Sequence, residues 1–79
     1  MKKYELILND SIELLDFKLF RIRALISFDE VKAGDLGWYI QSEKNLSHDG
    51  DAWVADNAKV FGDAYIYGNA KISGRNWNW

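Results

Sequence analysis

The sequence lacks cysteine and proline entirely and contains a single histidine, His48. Without cysteine the chain cannot form disulfide bonds or thiolate zinc sites, and one histidine cannot build a histidine-rich metal cage. Long apolar runs are also missing: the run at residues 6–8 stops at Asn9, too soon for a signal peptide or a membrane span. These absences predict a cytoplasmic protein with no metal, no cofactor and no membrane partner.

A strong charge of either sign is missing as well. Ten basic and twelve acidic side chains leave a formal net charge of −2. This balance disfavours nucleic acid as a partner, because proteins that bind it carry a basic footprint. The 79 residues support one domain, which buries only roughly 60–65 % of the surface that its unfolded chain exposes. Because small domains without disulfides or metals are commonly stabilised by self-association, we expect an oligomer.

Residues 1–48 are predicted to form an N-terminal β region with three short strands, at residues 4–8, 19–28 and 38–40. Turn residues at 9–11 end the first strand, although a helical turn beginning at Leu14 stays open. Period-two alternation indicates that the second strand buries one face, made of Phe20, Ile22, Ala24, Ile26 and Phe28. A turn-rich connector at residues 32–37 precedes the third strand, with two glycines available for positive φ.

From residue 50 onward the sequence follows a six-residue repeat. A β-branched residue recurs at every sixth position, at Val54, Val60, Ile66 and Ile72. Alanine stands two residues before each of them, at Ala52, Ala58, Ala64 and Ala70. An acid or its amide precedes each alanine, at Asp51, Asn57, Asp63 and Asn69. Glycine opens the hexads at Gly50, Gly62, Gly68 and Gly74, with Asp56 in its place once.

This spacing indicates a β-solenoid of short strands joined by tight turns. A helix would require spacings of three and four, and a plain strand would not require glycine at every sixth position. The β-branched residues would point inward, and Gly-Asn or Gly-Asp pairs would form the corners. The missing proline agrees with this, because stacked coils need their backbone N–H donors. A meander of hairpins with coincidental spacing is the alternative interpretation.

The hexads resemble the repeat of left-handed parallel β-helices, whose triangular coils take three hexads each. The whole chain resembles a family of small bacterial and prophage proteins through four further motifs: Lys-Tyr-Glu-Leu at residues 3–6, Arg-x-Arg-Ala-Leu at 21–25, Lys-x-Gly-Asp-Leu-Gly at 32–37 and Ser-Glu-x-Asn-Leu-Ser at 42–47. Trp38 departs from the family pattern, which has a small residue there. The resemblance implies a mainly β fold, in which a short N-terminal β-sheet region at residues 1–48 caps a truncated left-handed parallel β-helix of under two coils at residues 49–79.

With three hexads to a coil, residues 18 positions apart should lie above one another. The expected pairs are Val54 with Ile72, Asp51 with Asn69, Phe61 with Trp79 and Lys59 with Trp77. The last two would form an aromatic stack and a cation–π contact. The final coil would leave backbone groups unpaired, to be capped by Trp77 and Trp79 or by a second copy of the chain. We therefore expect a homodimer or higher oligomer through this C-terminal edge.

Aromatic side chains flank the inward positions of the hexads and are expected on the outer faces. Exposed Trp and Tyr often mark protein interfaces, although the N-terminal region could instead cover them. The sequence thus favours a non-enzymatic protein-binding module, and the prophage resemblance implies a phage-encoded inhibitor of a host defence complex, of the anti-CRISPR type. The predicted interface residues are Trp53, Phe61, Tyr65, Tyr67, Trp77 and Trp79.

Two other functions remain as alternatives. Hexapeptide acyltransferases use a histidine near the coil, so the resemblance allows an oligomeric acyltransferase-like protein that depends on His48. The contiguous Ser47, His48 and Asp49 cannot easily converge as a triad, and such enzymes have more coils than this chain holds. A structural solenoid that assembles into filaments is the other alternative. We predict no catalytic residue and interpret Asp51 and Asp63 as turn formers on different corners, not as metal ligands.

Overall fold

The computed structural model describes residues 2–74 and the backbone of residues 77–78. In this part of the chain the fold is mainly β, as predicted. Helical structure there is limited to one 3-10 turn at Glu43–Asn45, so the described residues contain no helix that could cross a membrane. The strands are β1 Tyr4–Leu14, β2 Phe17–Ala24, β3 Leu36–Ile40, β4 Trp53–Val54, β5 Lys59–Val60, β6 Lys71–Ile72 and β7 Trp77–Asn78.

β1 and β2 form a long antiparallel hairpin, and the predicted turn at residues 9–11 is wrong. The strand continues through these polar residues as a bulge, because Ile7 lies opposite Arg21 whereas Ser11 already lies opposite Phe20. The reversal occurs later, in the two residues between β1 and β2, which both have positive φ as a tight hairpin requires. The helical turn considered at Leu14 is therefore absent.

β2 is shorter than the alternating pattern predicted. It ends at Ala24, after which the chain turns back over the hexads. Ile22 and Ala24 of the expected inner face are buried, but Ile26 lies outside the sheet and is exposed. Leu19, expected on the mixed face, is fully buried. Phe17, two residues earlier on the same side of β2, packs against Phe61 of the hexads.

The connector before β3 uses its two glycines differently. Gly34 has a φ of 95°, which agrees with its predicted role in the turn. Gly37 instead lies buried inside β3, where there is no room for a side chain. A Cβ at this position would lie 2.6 Å from Ile22 and 2.8 Å from Trp53. No larger side chain fits between the sheet and the hexads at this point without displacing them.

The hexads stack with the predicted period of 18 residues. β4 pairs in parallel with β6, with Val54 beside Ile72, and β5 pairs in parallel with β7. The Asp51 N–H donates to Asn69 Oδ1 at 3.3 Å. These parallel pairings rule out the meander of hairpins, in which neighbouring strands would be antiparallel. The predicted side-chain contacts of Trp77 and Trp79 lie outside the described residues.

The corners of the hexads have a left-handed backbone. Gly50, Gly62, Gly68 and Gly74 all have φ between 64° and 72°. Asp56, which replaces glycine in one hexad, adopts the same conformation with a φ of 52°. Gly50 is also in close contact with the corner above it, because a Cβ there would stand 2.5 Å from the carbonyl oxygen of Gly68.

The N-terminal region closes one end of the hexad stack. β3 pairs in parallel with β5 through Ile40 and Val60, and Leu46 forms a parallel bridge with Ile66. Ile40 and Leu46 are six residues apart, like the residues they stack on. One hydrophobic core consequently spans both parts of the chain, with buried members Tyr4, Ile22, Ala24, Ile40, Leu46, Ala52, Trp53, Val54, Ala58, Val60 and Ile66. The sheet order is β1-β2-β3-β5-β7, with β4 and β6 in a second, two-stranded sheet.

Candidate functional site

Tyr65 and Tyr67 form an exposed pair of aromatic rings on one face of the hexad stack. They flank Ile66, which points inward and is buried, so both tyrosines point outward by alternation. Their side chains are 53 % and 65 % exposed, and their rings stack with centroids 5.4 Å apart and an interplanar angle of 15°. The structure thus places these two predicted interface residues side by side at the surface.

Trp53 and Phe61 do not share this surface, and the expectation that they would be exposed is wrong. Only 5 % of Trp53 and 1 % of Phe61 is accessible. The Phe28 ring meets the edge of Trp53 at 5.3 Å, and the Phe17 ring lies 5.1 Å from Phe61. Both covering rings come from the N-terminal region. Phe17 of β2 covers Phe61, and Phe28 of the turn after β2 covers Trp53, so both aromatics are buried.

The remaining predicted interface residues, Trp77 and Trp79, cannot be assigned to a surface. Their side chains lie outside the described residues. The candidate surface is therefore defined by Tyr65 and Tyr67, and we call it the tyrosine pair.

The backbone beneath the tyrosine pair is hydrogen-bonded to the segment that precedes the hexads. The Ile66 N–H donates to the Asn45 carbonyl at 2.9 Å, and the Ser47 N–H donates to the Ile66 carbonyl at 2.9 Å. The Asn45 side chain is fully buried, and its amide donates to the carbonyls of Gly62 at 3.2 Å and Ala64 at 2.8 Å. One buried amide thus joins the segment before the hexads to the corner that leads into the tyrosine pair.

Tyr4 lies next to this surface and is buried, with its hydroxyl donating to the Leu46 carbonyl at 2.6 Å. Burial raises the pKa of Tyr4 well above its ordinary value of 10, and the charges of Glu43 and Tyr65 raise it further. The Tyr4 hydroxyl therefore stays protonated and keeps donating. Tyr4 links the first strand to the face that carries the tyrosine pair.

His48 lies where the N-terminal region meets the hexads, and its ring contacts three residues of the N-terminal region. Its ring stacks on Tyr4, with centroids 4.1 Å apart and an interplanar angle of 10°. The Lys3 backbone N–H donates to Nδ1 at 3.0 Å, which assigns the ring proton to Nε2, 2.7 Å from Glu43 Oε1. The bond with His48 holds the pKa of Glu43 below its ordinary value, and Lys2 adds to this effect.

Both ring nitrogens of His48 therefore have hydrogen-bond partners within the chain, and the ring joins Lys3 of the N-terminus to Glu43. Ser47 Oγ does not contact the ring; it accepts from the Asp49 N–H at 3.0 Å. Within the described part of the chain, no three His, Cys, Asp or Glu side chains converge as a metal site.

Lys3 is a buried charged residue that the sequence patterns did not reveal. Its ammonium donates to the Ala52 carbonyl at 2.6 Å and the Gly50 carbonyl at 3.2 Å, and lies 4.8 Å from the centre of the Phe28 ring. Burial lowers the pKa of Lys3, while the charges of Asp51 and Asp49 oppose this shift. Lys3 thus donates to the carbonyls of the glycine and the alanine of one hexad. Asn45 donates to the glycine and alanine carbonyls of another hexad.

The sequence was also compared with known proteins. It matches no protein-family model and no curated protein.

Proposed function

We propose that this protein is a non-enzymatic protein-binding module that contacts its partner through the tyrosine pair. The observation that carries the proposal is the exposure of two stacked aromatic rings on a fixed backbone. Tyrosine is enriched in the energetic centres of protein interfaces, since it combines a large apolar ring with a polar hydroxyl.

The rigid backing of the pair supports this function. Ile66 is anchored in the core and hydrogen-bonded to Asn45 and Ser47, so the two ring-bearing residues need little reordering on binding. Side chains held near their bound positions lose less conformational entropy when a partner docks. A flexible loop carrying the same two tyrosines would bind more weakly for this reason.

The proposal is tested by partner capture with two matched variants. Tyr65→Ser combined with Tyr67→Ser removes both exposed rings, whereas Leu8→Ser combined with Leu15→Ser removes two side chains that are 70 % and 61 % exposed elsewhere. Each variant is immobilised and exposed to bacterial lysate, and bound proteins are identified by mass spectrometry. A partner held by the wild type and the leucine variant but lost from the tyrosine variant supports the proposal. Identical partner sets for all three proteins would contradict it.

The narrower proposal is that the partner belongs to a host defence complex and that the protein is a phage-encoded inhibitor acting in the cytoplasm. It rests on the resemblance of the sequence motifs to prophage proteins. Purified protein would then suppress interference by the captured complex in vitro, and the tyrosine variant would not. The acyltransferase-like alternative draws no support from the surroundings of His48, where both ring nitrogens are engaged.

For the hexad region we propose the specific architecture of a left-handed parallel β-helix of under two coils. Parallel pairing at 18 residues and positive φ at the corners support it. A crystal structure tests the handedness directly, because a right-handed coil would be visible in the chain trace.

We also propose that a second copy of the chain stacks on the C-terminal edge. Among the described strands, β6 and β7 each end their sheets, and so pair with a described neighbour on one side only. A solution-mass measurement by light scattering is expected to give a dimer or larger assembly at micromolar concentration. A monomer over this range would refute the stacked assembly, and growth without limit would instead favour the filament alternative.

A further inference from the structure

A pocket of about 310 Å³ lies between the hexads and the turn at residues 28–31. Its apolar floor consists of Val31, Trp53 and Ile72, all of which also pack against the core. Charged side chains stand around this floor. The pocket therefore offers an apolar surface beside charged groups, which is the usual composition of a small ligand site.

The turn that forms one wall is firmly held. Phe28 and Val31 exchange two backbone hydrogen bonds at 2.9 and 2.8 Å, and Asp29 between them has a φ of 49°. The Phe28 ring rests against Trp53, and Asp29 forms an ion pair with Lys71 of β6, which lines the pocket. These contacts hold the turn beside the hexads.

The charges of the pocket do not balance. Asp29 already neutralises Lys71. The two carboxylates that line the pocket, Glu30 and Asp56, are exposed and form no hydrogen bond or ion pair with any described residue. Asp56 stands where the other hexads have glycine, so this carboxylate is the feature that distinguishes this corner of the repeat. The pocket thus combines an apolar floor with two uncompensated negative charges.

We propose that this pocket binds an organic cation, a guanidinium or ammonium group at the end of a short apolar stem. The stem would lie on Trp53 and Ile72, and the charged group would lie between Glu30 and Asp56. This site goes beyond the proposed function, because it is separate from the tyrosine pair. The pocket is lined by residues of β4 and β6, whereas the tyrosine pair flanks Ile66. The cation could be the Arg or Lys side chain of a protein or a free polyamine, which share this chemistry.

The test is an NMR titration of the full chain with butylguanidinium, and with butanol as the neutral control. We expect saturable shifts of the Ala55 and Ile72 amide signals with a Kd of about 1 mM, and none with butanol at the same concentrations. Glu30→Gln combined with Asp56→Asn should raise the Kd about tenfold. Asp63→Asn combined with Glu13→Gln removes two exposed carboxylates elsewhere and should leave the Kd unchanged.

Three results would overturn the proposal: no saturation with butylguanidinium, equal binding of butanol, or an unchanged Kd in the Glu30→Gln/Asp56→Asn protein. Further titrations with N-acetylarginine amide and with spermidine identify the source of the cation. Tighter binding of the blocked arginine assigns a protein side chain, and tighter binding of spermidine assigns a free polyamine. The Tyr65→Ser/Tyr67→Ser protein should bind butylguanidinium normally, so failure of the tyrosine proposal is distinguishable from failure of this one.

Discussion

Two glycines with the same backbone conformation provide a sharp test of how the hexads stack. Gly50 and Gly68 have φ of 72° and 64°, so alanine at either position must adopt the left-handed region. This costs about 1–2 kcal/mol for a residue with a Cβ. At Gly68 the added methyl group meets no atom within 4 Å, whereas at Gly50 it would stand 2.5 Å from the Gly68 carbonyl oxygen.

The two substitutions should therefore differ in cost. Gly68→Ala is expected to lower the free energy of unfolding by about 1–2 kcal/mol, from backbone strain alone. Gly50→Ala must also separate two backbone segments, which adds about 1–3 kcal/mol, as for overpacked sites. Each kcal/mol corresponds to about 4–8 °C in Tm for a chain of this size.

Urea denaturation followed by far-UV circular dichroism measures the difference through the shift in midpoint at a constant slope. Gly50→Ala should unfold at clearly lower urea than Gly68→Ala, or not fold at all while Gly68→Ala does. Equal losses for both variants would show that residues 50 and 68 are not in contact, and would refute the stacking of corners 18 residues apart.

Three further predictions concern the core and the junction. Asn45→Ala should cost about 2–4 kcal/mol in urea denaturation, because it leaves corner carbonyls without their buried donor; a loss below 1 kcal/mol would contradict that role. Phe61→Ala should lower the free energy of unfolding by about 3–5 kcal/mol, whereas Tyr65→Ala should change it by less than about 1 kcal/mol, and similar losses would mean that Phe61 is not covered. Because the pKa of Glu43 is lowered from 4.5, its contribution is present above that pH and is lost as the pH falls through the lowered pKa. Glu43→Gln should therefore flatten the acid side of the stability profile, and an unchanged profile would remove the Glu43–His48 bond as a stabilising contact.

The repeat carried most of the structural information that could be obtained from the sequence. Spacing alone predicted that Val54 lies beside Ile72 and that Gly-Asn or Gly-Asp pairs form the corners. The structure confirms the pairing and shows positive φ at the corner glycines. The six-residue period can be recognised in the sequence because each hexad needs the same residue types for the same contacts. The link between Leu46 and Ile66 was missed because it spans 20 residues, in a segment that has no glycine corner to mark it.

Burial was harder to predict, because it depends on segments that do not repeat. Alternation predicted that Trp53 and Phe61 would be exposed, but it contains no information about which segment packs over them. Phe17 of β2 packs on Phe61, and Phe28 of the turn after Ala24 packs on Trp53. The site of Lys3 and His48 likewise joins residues 45 positions apart, a distance over which sequence patterns give no signal.

The central claim is that the tyrosine pair forms the binding surface, and calorimetric titration of the captured and purified partner tests it most directly. Exposed aromatic anchors contribute about 2 kcal/mol or more each, so Tyr65→Ser combined with Tyr67→Ser should weaken the Kd by about 1000-fold or more. The Leu8→Ser/Leu15→Ser protein should keep the wild-type Kd. Wild-type affinity in the tyrosine variant, with its fold intact by circular dichroism, would contradict the claim.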